Sequence, residues 1–195
     1  MPPRCFLALT LPGGVVRTLL SARERFLADA PAWAGEKWVA ATALHITVAF
    51  LGDLDDDPIA TARRRLLEAA SAVPAFDLSL TGVVAVPSPL AATMLWATLD
   101  DPGGRLLALR DALMTAFPQV AIDSRRPLRP HVTLARTRSR RRADAEPIAT
   151  TSALIEAAGK GPDGVVSVRS ATLFSSTLRP AGPEYREIAV VRLAR

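Results

Sequence analysis

Leu44-His45-Ile46-Thr47-Val48-Ala49 and Pro130-His131-Val132-Thr133-Leu134-Ala135 are one phrase written twice, once in each half of the chain. The match extends outward. Thirteen residues after His45 comes Pro58-Ile59-Ala60-Thr61, and sixteen after His131 comes the same tetrapeptide, Pro147-Ile148-Ala149-Thr150. Each copy continues into a helical pattern that ends in Glu-Ala-Ala, Leu66–Ala70 and Leu154–Ala158. Each then enters a β-rich stretch, Phe76–Val86 and Val165–Phe174. Four matches in the same order identify a duplication, and internal repetition sets the architecture before any local reading does.

Each half reads as strand, helix, strand, helix, strand. In the first, Cys5–Thr10 is strand-like, Leu11-Pro12-Gly13-Gly14 turns the chain, and Val15–Leu27 carries a helical period. The His45 strand follows, then a helix opened by Asp57 as cap and Pro58 at its first position. In the second half Met94–Leu99 is a strand, Asp100–Gly104 a turn and Leu106–Phe117 a helix. The His131 strand comes next, and Glu146-Pro147 opens the last long helix. Ser139–Glu146 reads as a mobile loop, and Tyr185–Leu193 as the closing strand. Helices returning onto antiparallel or mixed sheets predict an α+β protein of two pseudo-symmetric lobes around a central groove. The expected organisation is a single domain over residues 1–195, with repeats at about 4–86 and 94–174 and a closing strand at about 185–193.

Composition narrows the class. A chain of 195 residues supports one domain, and 49% hydrophobic with 22% charged residues excludes disorder. No apolar run reaches the roughly 18–20 residues that span a bilayer, since Pro87 and Pro89 break the best candidate, Val83–Leu99. The first residues carry no apolar signal core, so a soluble, cytoplasmic protein without membrane contact is expected. Cys5 is the only cysteine, which rules out an intrachain disulfide and a cysteine metal site. The net charge is +5, and Lys37 and Lys160 are the only lysines among 24 basic residues. Eight arginines (125, 126, 129, 136, 138, 140, 141 and 142) fall within 18 residues. Such a positive field suits phosphate ligands, because the guanidinium fork matches phosphate oxygens. A solvated basic loop is the plainer alternative.

The chain has two histidines, both in His-x-Thr-x on predicted strands. Strand alternation puts His45, Thr47 and Ala49 on one face and Leu44, Ile46 and Val48 on the other. The second copy likewise separates His131, Thr133 and Ala135 from Val132 and Leu134. Pseudo-symmetry then brings two imidazoles and two hydroxyls to one groove. A zinc site would need a third ligand, which only Asp53 or Asp55–Asp57 could supply in the first copy, and the second copy has no acidic neighbour. Neither a nucleophile elbow nor a glycine-rich phosphate loop is present. Paired acid–base catalysis fits best: one imidazole takes a proton and the other gives one, with threonine hydroxyls on phosphate oxygens and no metal or cofactor. A binding module in which the histidines only recognise a phosphate end stays open as the second reading.

At these motifs the chain resembles the RNA 2′,3′-cyclic phosphodiesterase family, also called 2′-5′ RNA ligase, of the two-histidine (2H) phosphoesterase superfamily. The resemblance runs from Arg4-Cys5-Phe6-Leu7-Ala8-Leu9 and Trp38-Val39 through Leu44–Gly52, Leu95-Trp96 and Arg126–Arg136 to Leu173–Leu178 and Gly182–Tyr185. It implies the bilobal 2H fold, His45 as proton donor and His131 as proton acceptor. It also implies phosphate contacts from Thr47, Thr133 and Arg136, and hydrolysis of an RNA 2′,3′-cyclic phosphate to a 2′-phosphomonoester, with reversible 2′-5′ ligation as a corollary. The substrate stays open between RNA ends, tRNA fragments among them, a small cyclic nucleotide and another cyclic phosphate metabolite, and a monomer is the expected state. Ile46 and Val48 stand where the first motif often has leucines, a core-facing exchange.

Two groups of residues set problems of geometry. Arg136 stands five residues beyond His131, an odd offset that turns it away from the groove unless the strand ends or bulges near Ala135. Arg138 and Arg140–Arg142 are expected in the loop beyond, attracting an RNA backbone without positioning the reaction. Trp33, Trp38, Trp96 and Tyr185 can stack a base, although aromatics at strand ends more often belong to a core.

Overall fold

The computed structural model describes residues 3–54, 56–116, 128–179 and 182–194. Among these residues nine strands form one sheet: β1 (Arg4–Thr10), β2 (Lys37–Trp38), β3 (His45–Asp53), β4 (Phe76–Val86), β5 (Ala92–Asp100), β6 (His131–Arg141), β7 (Val165–Val168), β8 (Ser170–Arg179) and β9 (Gly182–Arg192). Their order is β7-β4-β5-β6-β3-β1-β8-β9, with short β2 added to β6. Four α-helices among the described residues cover one side: α1 (Gly13–Asp29), α2 (Asp56–Ser71), α3 (Arg105–Ala116) and α4 (Ala145–Gly159). This is the expected α+β architecture.

The repeats exchange strands. β1 and β3 of the first repeat pair with each other, but the third strand of that repeat, β4, crosses to pair with β5. The second repeat reciprocates, sending β8 to pair with β1. Helices follow the same exchange, α1 packing on α4 and α2 on α3. The stretch read as one strand over Val165–Phe174 is therefore two, β7 on β4 and β8 on β1, broken at Arg169. Period 2 carries through both pieces and gives no sign of the break.

Local chemistry accounts for the helices. In α1, Val15, Leu19, Ala22 and Phe26 form a buried stripe at helical spacing. The Asp101 carboxylate accepts the backbone N–H groups of Arg105 and Leu106, both at 2.9 Å, and so caps α3. α2 begins at Asp56, so Asp57 stands inside its first turn rather than ahead of it. At the end of α4 a Cβ on Gly159 would collide with the Leu80 carbonyl, so only glycine lets this turn lie on β4. Two further expectations change. β6 runs on to Arg141 and α4 starts at Ala145, which leaves only residues 142–144 of the expected Ser139–Glu146 loop.

The two halves of the sheet meet where β3 and β6 pair antiparallel at a single position, Ile46 opposite Val132. Both side chains are buried, Ile46 1% and Val132 0% exposed. Ile46→Ala should lower the unfolding free energy by about 2–5 kcal/mol, and Ile46→Val by about 0.5–1.5 kcal/mol, because the cavity opens at the seam. Urea denaturation checks this, and an Ile46→Ala loss under about 1 kcal/mol would mean the seam is not part of the cooperative core.

Candidate active site

The antiparallel register at Ile46–Val132 sets His45 level with Thr133 and Thr47 level with His131. All four side chains are half-buried on the side of the sheet opposite Ile46 and Val132. The fold thus brings the two His-x-Thr motifs together on one face around a pseudo-twofold axis.

Both imidazoles are held the same way. His45 Nδ1–H donates to the Ala43 carbonyl at 2.8 Å, and His131 Nδ1–H donates to the Arg129 carbonyl at 2.7 Å. A carbonyl can only accept, so each neutral ring carries its proton on Nδ1 and leaves the Nε2 lone pair free. In the first copy Thr47 Oγ1 lies 3.1 Å from that Nε2. The packing differs between copies. His45 meets Phe6 at 5.1 Å and Tyr185 edge-on at 5.3 Å between centroids. His131 lies flat on the Trp96 indole, centroids 3.8 Å apart and planes 20° apart. Burial pushes both histidines below the ordinary imidazole value; the carbonyl contacts oppose this, and the Arg136 guanidinium adds to it. His131 depresses His45 further, as two neighbouring cationic sites must.

Arg136 reaches this face through an irregularity. β6 places Leu134 between the partners of Leu95 and Trp96, a one-residue bulge. Leu134 and Ala135 are consecutively buried and alternation resumes in opposite phase, bringing Arg136 to the imidazole side. Its charge acts on His45, His131 and Tyr185 together. β3 repeats the device at the same offset: Val48 lies between the partners of Leu7 and Ala8, and Val48 and Ala49 are both buried. Ala49 and Ala135 therefore face the helices, not the groove side expected from strict alternation.

The bulge in β3 carries Phe50 to the position that Arg136 holds in β6, and its ring is 66% exposed. Sequence reading passed over Phe50, because an apolar residue following a buried strand reads as core; its offset from His45, equal to that of Arg136 from His131, is the available signal. Trp33 is buried against Phe26, and Trp38 packs beside it, so both belong to the core. Trp96 and Tyr185 line the histidines. Arg125, Arg126 and the side chains of Asp55–Asp57 lie outside the described residues. Among the described residues no three His, Cys, Asp or Glu side chains gather as a metal site requires, and no helix is long and apolar enough to cross a membrane.

Comparison with known proteins places the same segment in a family. Residues 21–177 match the model of the 2′-5′ RNA ligase superfamily. A protein of Methanothermobacter thermautotrophicus named RNA 2′,3′-cyclic phosphodiesterase is 27% identical over 193 residues, covering 99% of this chain and 100% of its own. The fold is that of E. coli LigT in its apo form, with a TM-score of 0.73 at 22% identity over 100% of this chain and 99% of that one. The same E. coli protein complexed with 3′-AMP gives a TM-score of 0.71 at 22% identity, covering 100% of both chains.

An NMR titration of the two imidazoles should find both below pH 6.5 in the free protein. Inorganic phosphate should raise both, since an anion favours imidazolium, and Arg136→Ala should raise both by removing a like charge. Unchanged values in Arg136→Ala would place the guanidinium outside the site.

Proposed function

The chain belongs to the 2′-5′ RNA ligase superfamily, and on that premise we propose that it hydrolyses RNA 2′,3′-cyclic phosphate ends to 2′-phosphomonoesters by acid–base catalysis from His45 and His131. The observation that carries this reading is the pair of imidazoles fixed through Nδ1, with both Nε2 atoms left for chemistry beside Arg136. The shared name of the relatives supports the substrate class.

In the proposed reaction His131 Nε2 accepts a proton from water as its oxygen attacks phosphorus. The P–O3′ bond breaks, and the imidazolium of His45 gives its Nε2 proton to the departing O3′. The products are a 2′-phosphomonoester and a 3′-hydroxyl, and the two histidines have exchanged protonation states. Thr47 and Thr133 donate hydrogen bonds to the non-bridging oxygens, and Arg136 offsets the charge gathering there. The exposed Phe50 ring offers its face to the terminal base, a contact of about 1–3 kcal/mol in single-strand binders. With a 5′-hydroxyl in place of water the same proton transfers would form a 2′-5′ linkage.

His45→Ala and His131→Ala should each reduce kcat by about 10²–10⁴ on a 2′,3′-cyclic nucleotide, with the double variant little worse than either single one. EDTA should leave turnover unchanged. The kcat/KM profile should be a bell. Its acid limb follows loss of neutral His131 and its alkaline limb loss of protonated His45, and both values are depressed, so the optimum lies on the acid side of 6.5. Absence of turnover with retained phosphate binding would move the protein to the binding-module reading.

A further inference from the structure

Beyond Arg136, β6 carries the arginine run along a segment that bows out of the sheet. Arg136 pairs with Met94 and Arg141 with Ala92, so five steps along β6 are matched by two along β5. The run does not act as one patch. Arg141 turns toward the helices: its guanidinium meets the Glu36 carboxylate at 2.6 Å, donates to the Ala32 carbonyl at 3.0 Å, and lies over the Trp33 ring at 4.7 Å. Arg142 pairs with Asp144 at 3.1 Å. Of the three arginines 140–142 read as one electrostatic unit, two are thus occupied, and only Arg140 remains.

Between Arg136 on the groove face and Arg141 against Glu36 and Trp33, the bowed segment carries Arg138 and Arg140. Both are exposed, and neither guanidinium forms an ion pair with a described residue. The one carboxylate at hand, Glu36, is held by Arg141 and by the Arg138 backbone N–H at 2.9 Å. β2 adds a fourth cation: Lys37 is the direct cross-strand partner of Arg136, while its neighbour Trp38 faces the core opposite Ala135. Cross-strand partners share a face.

We propose that Lys37, Arg138 and Arg140 form a track leading out of the site from Arg136, which binds the phosphates of an RNA single strand upstream of its 3′ end. The inference rests on the phosphodiesterase reading and names the form of its substrate, an oligonucleotide end in preference to a mononucleotide. Alternate residues of a strand stand about 6.6 Å apart, a spacing suited to successive phosphates of an extended strand. Arg138 feels the Glu36 charge only from beyond ion-pair distance, so these guanidinium groups meet a phosphate without first breaking a close ion pair.

The test uses the full chain and two triple variants of equal charge loss. K37Q/R138Q/R140Q removes the track, and R17Q/R142Q/R169Q removes three ion-paired arginines elsewhere. The substrates are a 2′,3′-cyclic mononucleotide and a pentanucleotide ending in the same cyclic phosphate. The wild type should favour the pentanucleotide in kcat/KM. The track variant should lose about tenfold or more on it and none on the mononucleotide, with the salt dependence shallower by about 0.7 in log–log slope per lost contact. The control variant should behave as wild type. Equal losses on both substrates, or an equal loss in the control, would overturn the track. If no variant or wild type turns over either substrate, the phosphodiesterase reading falls. The track is then decided by fluorescence anisotropy with the labelled pentanucleotide: weaker binding in the track variant alone supports it, and equal affinity in all three overturns it.

Discussion

Everything at the site depends on one cross-strand pair. Ile46 and Val132 form the single point at which β3 and β6 pair, and so the point at which the half β7-β4-β5-β6, with β2, joins the half β3-β1-β8-β9 in one sheet. Their side chains are buried on the helix side, which obliges the residues before and after them to face the other way. Those residues are His45, Thr47, His131 and Thr133. A one-residue slip of either strand would turn its histidine and threonine toward the core and break the pairing of the two motifs. The apolar pair therefore fixes two imidazoles and two hydroxyls on one face of the sheet.

A second constraint separates the copies. Both strands bulge three residues beyond the histidine, and the residue two places further on is returned to the groove side in each. The backbone device is symmetric, but its cargo is not: a phenyl ring in β3 and a guanidinium in β6. A substrate with a charged phosphate at one end and an aromatic base at the other needs this difference. The duplication supplies two equivalent positions, and side-chain identity makes one suit charge and the other a π face.

The duplication, the α+β class and the facing of both histidines were legible, because a repeated His-x-Thr between apolar neighbours leaves one consistent burial pattern. Three features were not. The exchange of β4 and β8 between repeats is a matter of which neighbour a strand meets, and alternation says nothing about partners. The bulge near Ala135 was signalled only by the odd offset of Arg136, and its counterpart in β3 by nothing, because Val48-Ala49 and Leu134-Ala135 read equally well as in–out or in–in, alanine being small enough for either face. The strand running on to Arg141 was hidden by its own composition. A polar, arginine-rich stretch reads as a loop, whereas here Glu36 and Trp33 hold its far end through Arg141.

The unequal surroundings of the two imidazoles support the division of roles proposed for them. A proton acceptor becomes a cation during the step it catalyses, so a surface that stabilises the cation helps it. His131 has that surface: the Trp96 indole lies against its ring at 3.8 Å, and an indole face attracts positive charge. The indole Nε1 is buried with no hydrogen-bond partner among the described residues, an arrangement that costs about 1–3 kcal/mol. His45 must start as the cation and end neutral, and Thr47 suits both states. In the free site its oxygen accepts from Nε2–H or its hydroxyl donates to the bare Nε2 across the same 3.1 Å, and in the proposed reaction its one proton turns to the phosphate. The two motifs are alike in sequence, and it is the residues packed against them, Trp96 at one and Thr47 at the other, that favour the proposed division between proton acceptor and proton donor.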